Sequence, residues 1–166
     1  IFLEMINFIK RKNSDVKVVF RKLPGEDTFI EFKILEHKII IYYEKQFDET
    51  NSWMSRHKPD FSIFIDDKLI AILDAKNYKK NRDGKTTATD KMMSYMLNLN
   101  SSYGALIFPN FPTEITNSPH EDHKDQVLAH LRMKPEGTEK EIQEMNESLE
   151  EIFSKILSSI EIEIGV

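Results

Sequence analysis

The chain has 166 residues, of which 40% are hydrophobic and 31% charged, a balance typical of one soluble globular domain. It contains no cysteine, which excludes disulfides, zinc–thiolate sites and cysteine nucleophiles. A net charge of −5 argues against a general polyanion-binding surface, although a local basic patch can still bind phosphate. No apolar run approaches the roughly 20 residues of a membrane-spanning helix, and no signal peptide is recognisable. We therefore expect a cytoplasmic protein without a membrane partner, compatible with a domain cut from a longer chain.

The first third of the sequence is dominated by strand patterns. Residues 1–12 have the apolar spacing of a short amphipathic helix. Strands are predicted at Val16–Leu23, Thr28–Leu35 and His37–Tyr43, the last two forming a hairpin that turns at Glu36-His37. Residues 44–58 read as a loop.

The most informative stretch is Pro59 to Lys76, which predicts a second hairpin. Its strands are the apolar runs Phe61–Ile65 and Leu69–Leu73, and its turn is Asp66-Asp67-Lys68. Both faces of these strands are largely apolar, as required of strands covered on both sides. The pattern therefore favours an α/β fold, with a central mixed sheet flanked by helices on both faces.

After this hairpin the sequence predicts a strand–helix–strand crossover. Residues 77–85 read as a basic loop, and Thr87 or Thr89 can cap a helix that runs to about Leu99. A strand at Tyr103–Phe108 would then pair in parallel with the hairpin. The expected buried side of the helix consists of Met92, Met93, Met96 and Leu97.

The last third predicts a loop at residues 110–124, a strand at Gln126–Met133 and a final helix. Thr138 and Glu141 form a capping-box pattern at the start of that helix. An amphipathic packing helix explains its apolar stripe, which comprises Ile142, Met145, Leu149, Ile152, Ile156 and Ile160.

Three polar residues of the central hairpin form the candidate site. Asp74 and Lys76 lie two apart in one strand, so their side chains share a face. If Ile65 pairs with Leu69, Asp60 lies opposite Asp74 and joins them. A slip of one residue would place the two acids on opposite faces. The site therefore requires a register in which the residue numbers of each cross-strand pair add to an even number, as in the pair Asp60–Asp74.

Two adjacent carboxylates repel each other unless a cation or proton lies between them. An oxygen-only ligand set suits Mg²⁺ or Mn²⁺, with Asp60, Asp74 and the Ala75 carbonyl as the expected protein ligands. Lys76 can hold an attacking water or offset charge on a phosphoryl group.

These residues resemble a known signature. Pro59-Asp60 followed by Asp74-Ala75-Lys76 is similar to the motif of the PD-(D/E)xK nucleases. Lys91 to Tyr95, KMMSY, resembles a K-M-x-x-Y segment of the nuclease domain of McrC-like restriction subunits. The segments ALIFP at 105–109 and LRMKP at 131–135 are similar to later stretches of that domain. The resemblance covers about residues 40–135, within a single domain spanning 1–166.

The resemblance implies a restriction-endonuclease-like fold and metal-dependent DNA cleavage, in a restriction or defence system. Asp60 and Asp74 would bind metal, Lys76 would be the catalytic base or charge stabiliser, and Lys91 and Tyr95 would line the cleft. Many members of the superfamily add a glutamate, for which Glu44 and Glu4 are candidates here. McrC-like subunits also work with a nucleotide-driven motor, which would have to be another chain or a domain outside this sequence. A homodimer is a further expected partner.

The sequence also offers further candidate phosphate contacts and alternative functions. Lys58, Lys79, Lys80 and Arg82 are expected DNA-phosphate contacts, and His57 could touch phosphate or the metal shell. The cluster at 120–123, HEDH, is a weaker metal candidate because it lies in a loop. The alternatives are a purely structural hairpin with an exposed Asp74–Lys76 ion pair, a repair or recombination nuclease, and a non-catalytic nucleic-acid-binding or assembly module.

Overall fold

The computed structural model describes residues 2–12, 18–21, 27–34, 36–48, 57–76, 82–109, 111–118, 124–134 and 137–158. These residues form three helices and eight strands, a mixed α/β architecture. The elements, in chain order, are α1 (Phe2–Lys12), β1 (Val19–Arg21), β2 (Thr28–Ile34), β3 (His37–Tyr43), β4 (Phe61–Ile65), β5 (Lys68–Ala75), α2 (Arg82–Leu99), β6 (Tyr103–Phe108), β7 (Glu114–Asn117), β8 (Val127–Arg132) and α3 (Glu139–Ser158).

All eight strands belong to one sheet in the order β1-β2-β3-β4-β5-β6-β8-β7. Strands β1 to β5 form an antiparallel meander, whereas β6 is parallel to β5 and β8 is parallel to β6. The predicted crossover through α2 is therefore confirmed, and the central hairpin β4–β5 lies at the junction of the antiparallel and parallel halves. Within the described residues, no helix combines the length and apolarity needed to cross a bilayer.

Helices cover both faces of the sheet, as predicted. On one face, apolar side chains of α1 and α3 pack on alternate residues of β2 to β6 and β8, among them Ile30, Ile63 and Leu73. On the other face, which we call the α2 face, Met92, Met96 and other α2 side chains pack against Ile72, Leu106 and Phe108. Strand alternation explains the division, because neighbouring residues of one strand enter different cores.

The central hairpin differs from the prediction at its closed end. Its turn has two residues, Asp66 and Asp67, both with positive φ (47° and 66°), so Lys68 belongs to β5 and pairs with Ile65. The predicted pairing of Ile65 with Leu69 is wrong. A bulge between the pairs Phe64–Leu69 and Ile63–Ala71 then shifts the register by one residue. The open half of the hairpin consequently has the predicted even sum, ending at the pair Phe61–Leu73.

Helix α2 differs from the prediction at its start and in its buried side. It begins at Arg82, so residues 82–85 are helical rather than loop. Met92 and Met96 are buried as expected, but Met93 and Leu97 are each 50% exposed. The buried stripe instead continues through Ala88, Met92, Tyr95, Met96 and Leu99. These positions follow one face of a helix with 3.6 residues per turn. The four predicted residues form two adjacent pairs, which cover a wider arc of the helix than the sheet can bury.

Two smaller differences concern the edges of the sheet. Of the first predicted strand, Val16–Leu23, the structure describes residues 18–21, and within them Val19–Arg21 pairs with β2. The segment predicted as a loop at 110–124 contains the edge strand β7. The capping box before α3 is confirmed, since Thr138 N donates to Glu141 Oε2 at 2.9 Å and Glu141 N to Thr138 Oγ1 at 3.4 Å.

Candidate metal and phosphate site

Asp60 lies immediately before β4, beside the end of β5. One more antiparallel pair beyond Phe61–Leu73 would place Asp60 opposite Asp74, as the sequence predicted. The Asp60 carboxylate is held there because the Ala75 N–H donates to its Oδ2 at 2.7 Å. The first acid of the motif is thus fixed to the backbone of the strand that carries the other two motif residues.

Asp74 and Lys76 form a buried ion pair between Lys76 Nζ and Asp74 Oδ2. Their side chains are only 5% and 14% exposed, so the exposed ion pair of the structural alternative is wrong. Burying a carboxylate costs several kcal/mol unless a cation compensates it, which explains why the lysine folds over the acid. The end of β5 and the residue that follows it therefore hold two opposite charges in a place where water is largely excluded.

Helix α2 brings Lys91 and Tyr95 to the end of the α2 face where Asp74 and Lys76 lie. The two residues are four apart, and Lys91 Nζ lies 5.0 Å from the centroid of the Tyr95 ring. The pKa of Lys76 is lowered from 10.5, chiefly by burial and then by the positive charge of Lys91, while Asp60 acts in the opposite direction. The residues named by the sequence signature are therefore electrostatic neighbours.

Glu44 follows β3 and adjoins Asp60 through the backbone. Its N–H donates to the Asp60 carbonyl at 2.8 Å, and its side chain accepts from Lys58 Nζ at 2.8 Å. The hydrogen bond from Lys58 lowers the pKa of Glu44, and the negative charge of Glu44 raises the pKa of Tyr43. The structure thus brings one of the two candidate glutamates to the site. The other, Glu4, lies on α1, which packs on the opposite face of the sheet.

The donor chemistry at the end of the hairpin fits Mg²⁺ or Mn²⁺. Asp60, Asp74 and the Ala75 carbonyl offer hard oxygen ligands. Across the described residues, no group of three His, Asp or Glu side chains is arranged to hold a metal ion. A pair of carboxylates is nevertheless the usual protein share of a magnesium site that is completed by waters and substrate phosphates.

Most of the remaining predicted site residues lie outside the part of the chain that the structure describes. Lys79, Lys80 and the cluster at 120–123 lie outside the described residues. Arg82 is the first residue of α2, but its side chain is outside the description. Lys58 is exposed beside the site and paired with Glu44, a place compatible with a phosphate contact.

His130 is a polar residue at this level of the sheet that sequence reasoning did not find. The register aligns Asp74 with Leu106 of β6, and Leu106 with His130 of β8. His130 is buried, with Nε2 3.2 Å from Thr89 Oγ1 of α2. Only the parallel register of β5, β6 and β8 reveals this alignment, and no local sequence pattern encodes it.

Comparison with protein-family models and with curated proteins adds no indication of function. No protein-family model matches the chain, and a search of curated proteins found no significant match. The family resemblance therefore depends on the motif residues and on where the fold places them.

Proposed function

We propose that this protein is a Mg²⁺- or Mn²⁺-dependent DNA endonuclease with a restriction-endonuclease-like fold, related to the nuclease domain of McrC-like restriction subunits. The observation that carries the proposal is the meeting of Asp60, Asp74 and Lys76 at one end of the central hairpin. A packing-only hairpin would have no need to bury an acid and a lysine together at the end of a central strand, because apolar residues of similar volume are often as stable there.

In this proposal Asp60, Asp74 and the Ala75 carbonyl hold the metal ion, which when bound supplies an activated water and stabilises negative charge on the phosphoryl oxygens. Asp60 is oriented by the Ala75 N–H, so one ligand is fixed before substrate arrives. Lys76 holds the attacking water or the developing charge, and its lowered pKa suits an amine that takes up a proton. Lys91 and Lys58 contact the DNA backbone beside the scissile phosphate.

Plasmid cleavage in Mg²⁺ or Mn²⁺ tests the proposal. Asp74→Asn and Lys76→Met should each lower the rate about 100-fold or more, because each removes a group acting at the reacting phosphate. The same hairpin supplies matched controls at its other end. Asp67→Asn and Lys68→Met make the same chemical changes at exposed residues and should cleave like the wild type.

Metal binding provides a second, independent readout. Mg²⁺ should raise the thermal midpoint of the wild type, because a ligand bound only by the folded state stabilises it. Asp74→Asn should lose this shift and Asp67→Asn should keep it. Wild-type cleavage rates in both motif variants would overturn the proposed site. DNA binding without cleavage by the wild type would instead favour the non-catalytic module, a role compatible with the Asp74–Lys76 ion pair.

A further inference from the structure

His57 is a buried histidine next to the candidate site that has no role in the proposed reaction so far. It is 8% exposed and lies three residues before Asp60. Its backbone is fixed by two hydrogen bonds with Phe47, of 2.8 and 3.0 Å. These bonds fix the main chain from which the His57 ring projects towards α2.

The side chain that packs against His57 is Tyr95 of α2. The two rings meet edge to face, with centroids 4.8 Å apart and an angle of 61° between their planes. Tyr95 is itself buried, and its ring also carries the ammonium of Lys91 at 5.0 Å from the centroid. One aromatic ring therefore contacts both the anchored histidine and the lysine that reaches the candidate site.

The charges around this ring are arranged so that a neutral histidine is favoured. Burial lowers the pKa of His57 from 6.5, and the positive charge of Lys91 lowers it further. Lys91 also lowers the pKa of Lys76, so the charge of this one lysine acts on both His57 and Lys76. Protonation of His57 would add a second positive charge beside the ring that Lys91 occupies.

We propose that His57 is a positioning residue, which holds Lys91 at the candidate site through the ring of Tyr95. It does so as the neutral imidazole, and its protonation displaces Lys91 by charge repulsion. The catalytic consequence rests on the proposed nuclease function, but the coupling between His57 and Lys91 does not. Among the described residues, the Tyr95 ring of α2 contacts the His57 ring, and the Phe47 backbone bonds to the His57 backbone. The positive charge of Lys91, also on α2, acts on the pKa of His57 and on that of Lys76 at the end of β5.

The coupling is tested by following the histidine ring signals in an NMR pH titration of the whole chain. The His57→Gln variant identifies the His57 signals among the five histidines. Lys91→Met, at an exposed position, should raise the pKa of His57 by removing the neighbouring charge. His37 provides the internal control, because its ring nitrogen lies 2.6 Å from Asp66 at the far end of the hairpin and its NMR signals should be the same in the wild type and in Lys91→Met. An unchanged His57 pKa in Lys91→Met would overturn the proposal.

The positioning role is tested by cleavage rates across pH. Protonation of His57 should add a loss of activity on the acid side to any loss caused by protonation of Lys76, and His57→Gln should lack the part due to His57. Tyr95→Leu, which removes the ring, should cleave about two- to fivefold more slowly than Tyr95→Phe, which keeps it. An identical acid limb in wild type and His57→Gln would refute the role of His57. If no form cleaves DNA, the nuclease proposal fails, and the NMR titration alone decides whether His57 and Lys91 are coupled.

Discussion

The buried ion pair at the end of β5 allows a test that does not depend on catalysis. Lys76→Met leaves the Asp74 carboxylate, 5% exposed, without its compensating charge, and should cost about 3 kcal/mol. Asp74→Asn leaves the Lys76 ammonium, which is 14% exposed and partly hydrated, so a smaller loss of about 2 kcal/mol is expected. The double variant carries no unpaired charge, but the amide of Asn at position 74 is left buried without its lysine partner, so a loss of about 2 kcal/mol is still expected. The resulting coupling of about 3 kcal/mol is at the upper end of measured values.

Urea denaturation followed by circular dichroism measures all four free energies of unfolding. Asp67→Asn and Lys68→Met are the matched controls, since both residues are exposed and each change should fall within about 0.5 kcal/mol. Additive losses in the double variant would refute the reasoning, because they would mean that the two side chains do not interact. The candidate site would then lose its electrostatic basis.

Three further predictions concern the elements that support the site. Gly104→Ala should cost about 1–3 kcal/mol in urea, because the new Cβ would lie 2.9 Å from Met96 Cγ and press α2 away from the sheet. Leu97→Gln should change the free energy of unfolding by less than about 0.5 kcal/mol, whereas Met96→Ala should cost about 2–5 kcal/mol, since only the second residue is buried. The pKa of Glu141 is lowered from 4.5 to about 2, chiefly by the hydrogen bond that its carboxylate accepts from the Thr138 N–H. The stability that Glu141 contributes is therefore present above pH 4.5 and lost as the pH falls towards 2, and Glu141→Gln should lack this loss in an acid titration.

The sequence predicted the strands better than it predicted the phase of the helix that serves the site. Alternating or continuous apolar runs with turn residues between them located β2 to β6 and β8 within a residue or two. In α2, the apolar pairs Met92-Met93 and Met96-Leu97 left two possible buried faces, one with the first residue of each pair and one with the second. Gly104 decides between them, because its lack of a side chain leaves room for Met92 and Met96 against the sheet. That packing joins residues on different elements, so local periodicity could not supply it.

The same limit of local pattern applies to the candidate site, of which only the part within one strand was predictable. Asp74 and Lys76 share a face by strand geometry alone, and the structure pairs them. The approach of Glu44 to Asp60 depends on the β3–β4 register, and the contact of His57 with Tyr95 depends on the packing of α2. Long-range pairings of this kind leave no local signal, so the sequence could name these residues but could not assemble them.

The register of the central hairpin shows how narrowly the site is specified. A two-residue turn at Asp66-Asp67 gives partner numbers with an odd sum, which would place Asp60 opposite Leu73 and on the other face from Asp74. The bulge inserts Ile70 without a partner and restores the even sum for the open half of the hairpin. Ile70 and the next residue consequently both point to the core under α1 and α3, and Ile70 is 3% exposed there. Burial of that side chain, worth about 1.5–3 kcal/mol, offsets the broken ladder, so the residue that aligns the two acids is held in place by the hydrophobic core.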